Sequence, residues 1–363
     1  MQIKRDKEIL NFRETQREKK GILSGTYPHV VGDKIYWQLA EPTEIAYAVK
    51  NNGVYEKPTN NIAVNNSFAS ANFRAFIDTN PDCPEDERYK AVGGYHVGRG
   101  SVKNVKGFHN AQLHKQLLGC AISENAEIVE VLDHVWPEYT KLLFKDDFYH
   151  PRHANGIYVF KSSDGIKWTE YHNKPVLSVF TECEGGVNLG SDSFPSIFYD
   201  HNIDEYVLYI RCNIKLGVRH VLYTKSKDMI TWDKPKLINK DPEFDMEHEN
   251  LYYMGAFPLP NSEKYISFTP HFRNDILTKD GSKRKYYNTK TLVMISDNGV
   301  DWKVVDEILD KEYSTHLRQP HVVSFREEND EYALYVNENY FTNSGKLVRY
   351  TFNKNELDIG DTL

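Results

Sequence analysis

A small set of charged and imidazole side chains has the residue types that acid–base catalysis requires. Asp192, Glu247 and Glu249 are its carboxylates. Hydrolysis of a glycosidic bond typically uses two carboxyl groups, one protonated and one ionised. We predict Asp192 and Glu249 as that catalytic pair, with Glu247 as a substitute for Glu249. The predicted substrate-binding residues carry cationic or imidazole groups: His29, Arg74, Arg211, His271, Arg318 and His321.

The arginines of this set bear on the kind of ligand. Arg74, Arg211 and Arg318, together with Arg219, offer planar guanidinium groups that suit carboxylate or sulfate. An anionic oligosaccharide therefore stays open as the substrate. The histidines lack a specific metal-ligand spacing, so we expect no metal and no cofactor. A structural Ca²⁺ in a central channel is left open.

These side chains can meet because they flank a repeated hairpin. Each copy has a short apolar strand, a turn and a second strand in which Tyr or another aromatic residue recurs. The five copies span Pro28–Leu39, Phe73–Gly94, Pro195–Cys212, Ala256–His271 and Pro320–Asn337. Most of the candidate residues lie just before or at the start of a first strand. Arg211 and His271 lie at the end of a second strand.

A second repeat marks tight turns. Ser162–Trp168, Ser226–Trp232 and Ser296–Trp302 share Ser, an Asp or Asn two residues later, a β-branched residue and a final Trp. Ser and Asp side chains bond nearby backbone amides in such turns, and Trp can hold the turn against a sheet. We predict a structural role for all three.

Five hairpins with interleaved turns predict an all-β, five-bladed β-propeller spanning residues 1–363 as one domain. Ile45–Lys50 is expected to add a strand to the first blade. Gly345–Phe352 is expected to complete the last blade, and Ile22–Tyr27 to help close the ring. In a propeller the innermost strands start near one mouth of the central channel, so the candidate residues should converge there.

The segment Tyr95–Ala154 interrupts the second blade. Its partly helical rhythm over Ser123–Phe144 predicts a long, partly helical insertion. It contains His96, His109, His114, His134, His150 and His153. We interpret the insertion as a lid or an oligomer contact rather than as a metal site.

The hairpins and turns resemble the five-bladed propellers of glycoside hydrolase families 32, 43 and 68. The resemblance is nearest to an uncharacterised group similar to the family 32 N-terminal domain. The segments that resemble it are Phe76–Pro81, Glu87–Lys90, Ser163–Trp168, Asp192–Ser193, Tyr209–Arg211 and Glu249–Tyr252. The resemblance implies a propeller fold and a carbohydrate ligand. Family 32 enzymes carry an Asp-containing nucleophile motif where this chain has Tyr27-Pro28-His29, so the resemblance implies a different catalytic arrangement. Asp78 lies at a hairpin turn, where we favour a structural role.

Composition restricts the partners. The net charge of −7 and the lack of a concentrated basic patch argue against nucleic acid. No run of eighteen apolar residues and no secretory signal is present, so we expect no membrane span. The four cysteines are far apart and read as reduced thiols, which favours a cytoplasmic location. An oligomer is left open.

Three functions remain as alternatives. The leading one is a glycoside hydrolase that acts on an oligosaccharide in the central pocket, through the carboxylate pair. The second is a non-catalytic carbohydrate-binding propeller. The third is a scaffold that presents the insertion to a protein partner. A pocket with many charged groups is costly to maintain without a function, which places the hydrolase first.

Overall fold

The computed structural model describes residues 1–12, 25–39, 44–65, 68–95, 156–172, 174–178, 181–189, 194–215, 218–273, 275, 287–311, 320–340 and 344–357. The N-terminal strand is β1 (Lys4–Asn11). The first blade comprises β2 (Thr26–Val31), β3 (Lys34–Gln38), β4 (Ile45–Asn51), β5 (Val54–Glu56) and β6 (Ile62–Val64). The predicted third strand of this blade is therefore confirmed as β4.

The second and third blades each have five strands. The second comprises β7 (Arg74–Ile77), β8 (Tyr89–Tyr95), β9 (Gly156–Ser162), β10 (Thr169–Glu170) and β11 (Leu177–Ser178). The third comprises β12 (Asn188–Leu189), β13 (Ser196–Asp200), β14 (Glu205–Lys215), β15 (Val218–Ser226) and β16 (Lys236–Leu237). The additional short strand pairs with β9 in the second blade and with β14 in the third.

The last two blades complete the ring. The fourth comprises β17 (Asn239–Asp241), β18 (Glu249–Leu251), β19 (Gly255–Pro258), β20 (Tyr265–Arg273), β21 (Tyr287–Ser296) and β22 (Asp301–Lys311). The fifth comprises β23 (His321–Glu328), β24 (Glu331–Glu338), β25 (Lys346–Asn353) and β1. The inner strands β2, β7, β13, β19 and β23 contact one another in that order, and β23 contacts β2. The five-bladed propeller is thus confirmed.

Closure of the ring differs from the expectation. The outer strand of the fifth blade is β1, which pairs antiparallel with β25, whereas Thr26 and Tyr27 begin the inner strand of the first blade. Charged residues of β1 form ion pairs with the fifth blade, including Arg5 with Glu338 and Lys346 with Glu8. Edge strands commonly carry charged side chains, and the charges of β1 mask the alternation of apolar and polar residues by which a strand is recognised in a sequence.

Helix is nearly absent from the part of the chain that the structure describes. It is limited to four 3₁₀ turns at Phe68–Ser70, Glu85–Glu87, Glu184–Gly186 and Lys354–Glu356. The predicted partly helical insertion lies outside the described residues, apart from Tyr95 at the end of β8. None of the described helices has the length and apolar character needed to cross a membrane.

The repeated turns have the predicted chemistry. In the first copy the Ser162 hydroxyl accepts the amide of Gly165 at 2.9 Å, and the Trp168 indole donates to the Gly165 carbonyl at 3.1 Å. The other two copies repeat both bonds. Tyr36 of the first blade donates its hydroxyl to the Gly165 carbonyl at 2.6 Å. The turn therefore also fastens one blade to the next.

Buried carboxylates fasten the blades at the far end of the inner strands. Asp78 follows β7 and accepts from the hydroxyl of Tyr206 at 2.7 Å, while Lys90 lies 2.8 Å from the same oxygen. Asp200 ends β13 and accepts from Tyr265 at 2.6 Å. These bonds join the second blade to the third and the third to the fourth, which supports a structural role for Asp78.

Candidate functional site

The starts of the inner strands and the ends of the second strands lie at the same end of the propeller, since each blade is an antiparallel meander. We call this end the mouth. Of the predicted site residues, His29, Arg74 and His321 belong to inner strands, and Arg211 and His271 to second strands near their mouth ends. Glu249 lies in β18, which pairs with the mouth end of β20.

Arg74 closes the central channel beneath the mouth. Its Nη1 donates to the carbonyl of Val323, 2.6 Å away on the fifth blade, which is not adjacent to the second. The guanidinium carbon lies 4.9 Å from the ring centre of Phe194 and 5.6 Å from that of Phe257. Burial lowers the pKa of Arg74 to about 10. Arg74 therefore contacts three other blades and fills the central channel, so we call it the plug. Its role in substrate binding stays a prediction.

His29 joins the first two blades. Its Nε2 accepts the amide of Ala75 at 2.9 Å, so Nδ1 carries the proton and faces the Tyr27 carbonyl at 3.2 Å. Burial, reinforced by the nearby charge of Arg74, lowers the pKa of His29 well below its usual value. The imidazole is neutral and both nitrogens have protein partners, which leaves neither free for a ligand in this arrangement.

Aromatic rings above the plug form a continuous layer, which we call the aromatic floor. It consists of Tyr27, Phe194, Tyr253, His321 and Tyr340. Tyr27 stacks on Phe194 with ring centres 5.1 Å apart, and Tyr253 stacks on His321 at 5.4 Å. His321 lies 4.3 Å from Tyr340. All five side chains are buried, with at most 8% of any residue exposed, so this layer packs the inner end of the mouth.

Apart from His321, the sequence prediction missed the aromatic floor. The signal that could have found it is an aromatic residue just before or at the start of an inner strand. Tyr27, Phe194 and Tyr253 occupy that position in the first, third and fourth blades. A strand pattern alone does not distinguish these rings from ordinary sheet packing.

Glu249 is the centre of a buried polar cluster between the third and fourth blades. Its Oε1 lies 2.8 Å from Nε2 of His271 and 3.2 Å from Nζ of Lys240. Its Oε2 accepts the amide of Asp245 at 2.9 Å. Burial alone would raise the pKa of Glu249, but the hydrogen bonds from His271 and Asp245 and the cationic neighbours lower it to about 2. Glu249 is therefore ionised at neutral pH.

The other two buried carboxylates among the described residues are Asp78 and Asp200, at the far ends of inner strands. Glu249 is thus the buried carboxylate that the described part of the chain places near the mouth. An ionised carboxylate can act as a base or a nucleophile, and it cannot be the proton donor of a hydrolysis.

Arg219 lies beside Tyr252, whose ring contacts Tyr253 and His321 of the aromatic floor. Its backbone amide donates to Oδ1 of Asn250 at 3.0 Å. Its guanidinium carbon lies 5.8 Å from the ring centre of Tyr252 and 6.0 Å from that of Phe272. Nε and Nη1 are buried and have no hydrogen-bond partner among the described residues. Buried donors of this kind normally have a partner, and a bound anion can supply one.

The remaining predicted residues divide into two groups. Asp192 and Arg318 lie outside the described residues. Glu247 is exposed in the turn before β18, where its amide donates to Oδ1 of Asp245 at 2.9 Å. Arg211 is buried in β14 opposite Val221. The structure therefore brings Glu249 and His271 into contact and gathers His29, Arg74 and His321 near the axis.

The described residues contain no group of three or more His, Cys, Asp or Glu side chains that could hold a metal ion. A possible Ca²⁺ site is consequently not supported by these side chains.

Comparisons with known proteins bear on the fold. No family model matches the chain, and no curated protein sequence matches it. Its fold resembles that of an N-acetylgalactosamine deacetylase from F. plautii, solved with blood group B trisaccharide. That similarity has a TM-score of 0.53 at 10% identity and covers 97% of this chain and 96% of the other.

Glycoside hydrolases are also among the similar structures. One is the Bombyx mori family 32 β-fructofuranosidase BmSUC1, with a TM-score of 0.49 and 13% identity over 89% of this chain. This chain spans 58% of the length of that enzyme. Another is Zg3597, a family 117 glycoside hydrolase of Zobellia galactanivorans, with a TM-score of 0.46 and 12% identity over 99% of this chain and 92% of the other.

Proposed function

We propose that the protein is a glycoside hydrolase that binds an oligosaccharide at the mouth, above the aromatic floor. The observation that carries the proposal is Glu249, a buried carboxylate held in its ionised form near the mouth of the propeller. The fold similarity to a deacetylase solved with a trisaccharide supports a carbohydrate ligand.

In this proposal Glu249 is the base or the nucleophile. The pKa of about 2 excludes it as the general acid at neutral pH. Asp192 is the proposed acid, because it precedes the floor residue Phe194 by two positions. Its carboxyl would need a raised pKa, which removal of the carboxyl from water would supply. Glu247 is exposed and is a weaker substitute for Glu249.

The proposed substrate carries a carboxylate or sulfate group. Arg219 supports this choice, because two of its buried N–H groups have no described protein partner. A negatively charged substituent would accept from both and would offset the cost of keeping a guanidinium out of water.

The test is sugar release from a panel of neutral, carboxylated and sulfated oligosaccharides. We expect turnover by the wild type, and a loss of at least about 100-fold in Asp192→Asn and in Glu249→Gln. Glu243→Gln is the matched control, since Glu243 is an exposed carboxylate in the same segment. Lys240→Met is a second control for stability. It disturbs the same buried cluster but leaves the Glu249 carboxylate in place, so a loss of turnover that comes from the carboxylate should be smaller in Lys240→Met than in Glu249→Gln.

A second candidate is a non-catalytic carbohydrate-binding propeller. It is favoured by one observation: both oxygens of Glu249 already have protein partners, as in a structural ion pair. This reading gains support if the panel stabilises the protein against heat without any turnover, and if Glu249→Gln leaves that stabilisation unchanged.

A further inference from the structure

A groove of about 760 Å³ lies between the first two blades, away from the mouth residues. One wall is formed by the connection that includes β6, and the other by the repeated turn of the second blade and β10. Its apolar surface comes from Ile62, Val64, Phe160, Ile166 and Trp168. Among the strands that the structure describes, β10 lies at the outer edge of its blade, and none of them pairs with its outer side.

The fourth blade has a strand at the equivalent place. There β17 pairs in parallel with β22, with Lys240 opposite Trp302. The amide of Asn239 donates to the Val300 carbonyl at 2.9 Å, and its side-chain amide donates to Asp301. The segment that connects the third and fourth blades therefore supplies an additional edge strand.

The third blade is also covered by the connection that precedes it. The amide of Glu184 donates to the Pro235 carbonyl at 2.8 Å. Lys234 of this edge forms an ion pair with Glu182 of the same connection. Two successive blades thus receive the incoming chain on their outer edge.

In the second blade the incoming chain takes another path. β6 pairs with β4 of the first blade, and the amide of Tyr47 donates to the carbonyl of Asn61 at 2.9 Å. Ile166, Lys167 and Trp168 are the counterparts of Val300, Asp301 and Trp302 in the repeat. They line the groove at the place where the fourth blade holds its additional strand.

We propose that this groove binds an extended peptide segment of a partner protein, which adds as a strand parallel to β10. Main-chain bonds to an exposed sheet edge supply affinity in such complexes, and side-chain pockets supply specificity. Lys167 is exposed and replaces the acidic Asp301, so the peptide residue in the position of Asn239 is acidic. The next residue faces Trp168 and is apolar, because Ile62, Phe160 and Ile166 also line the groove, whereas its carboxylate Glu170 is only half-buried.

The probe is a blocked peptide with the sequence of residues 236–243 of this chain carrying Asn239→Asp and Lys240→Val. Isothermal titration with the whole protein is expected to give saturable binding below about 1 mM. Lys167→Glu should weaken it at least about tenfold, and a peptide with Lys in place of the introduced Asp should bind Lys167→Glu better than wild type. Lys227→Glu, an exposed lysine in the corresponding turn of the third blade, should have no effect.

Two results would overturn the proposal. One is the absence of binding up to that concentration, or binding that is indifferent to Lys167→Glu and to the charge exchange. The other is displacement of the peptide by a neutral oligosaccharide that contacts Trp168, which would assign the groove to a sugar. Trp168 can be followed by fluorine NMR of protein labelled with 5-fluorotryptophan, with Trp168→Phe to assign its signal. Neither result depends on whether the mouth hydrolyses sugars.

Discussion

Glu249→Gln removes the charge from the buried cluster and keeps its shape. Against the raising effect of burial, hydrogen bonds from His271 and Asp245 lower the pKa of Glu249 from its ordinary value of 4.5 to about 2, and each pKa unit is worth about 1.4 kcal/mol. The ionised carboxylate therefore contributes roughly 3 kcal/mol to the free energy of unfolding. Since the folded pKa lies below the unfolded one, this contribution is complete above pH 4.5 and is lost as pH falls towards 2.

Glu249→Gln leaves the ammonium of Lys240, whose side chain is only 4% exposed, without its carboxylate. Urea unfolding at pH 7 should show a loss of about 3 kcal/mol, and the acid dependence of stability below pH 4.5 should weaken. Lys240→Met combined with Glu249→Gln should cost less than the sum of the single changes, because both charges are then absent. The reasoning is refuted if the free energy of unfolding of Glu249→Gln lies within about 0.5 kcal/mol of the wild-type value and depends on pH below 4.5 as the wild type does.

Three further predictions concern other parts of the propeller. Gly165→Ala should lower the free energy of unfolding by about 2 kcal/mol in a urea titration, because φ is +70° and the added Cβ would lie 2.7 Å from the Tyr36 hydroxyl oxygen. Gly53→Ala is the control: its φ is +86° but the space around it is open, so it should cost about half as much. Burial lowers the pKa of His220 to about 4, so the free energy of unfolding should fall by roughly 3 kcal/mol as pH falls from 6.5 to 4. Unfolding curves measured across this pH range should show a smaller fall for His220→Gln. Arg219→Met should lower affinity for anionic oligosaccharides about tenfold and leave neutral ones unaffected, as measured by titration calorimetry.

The five inner hairpins and the three Ser-to-Trp turns could be predicted because their information is local. A turn such as Ser162–Trp168 contains its own hydrogen-bond donors and acceptors, and a hairpin contains both of its strands. The closing strand β1 could not be found in this way. Its partner β25 lies more than 300 residues along the chain, and its charged side chains hide the apolar alternation.

The candidate site shows a similar division. The position of Glu249 near the mouth follows from the repeat, but its partner Lys240 comes from a separate strand, β17, that the repeat does not predict. His29 and Arg74 lie on inner strands, and their bonds to Ala75 and Val323 hold blades together, while their role in substrate binding stays a prediction. Such roles depend on which polar atoms meet after folding, and a list of residue types does not contain that information.

The central claim is hydrolysis at the mouth by Glu249. Its most direct test is a crystal structure of Glu249→Gln with an oligosaccharide that the wild type cleaves. We predict a sugar ring over the aromatic floor, with the bond to be cleaved within about 3 Å of the side chain at position 249 or of one water bound to it. A substrate bound with its cleaved bond away from that side chain would contradict the account.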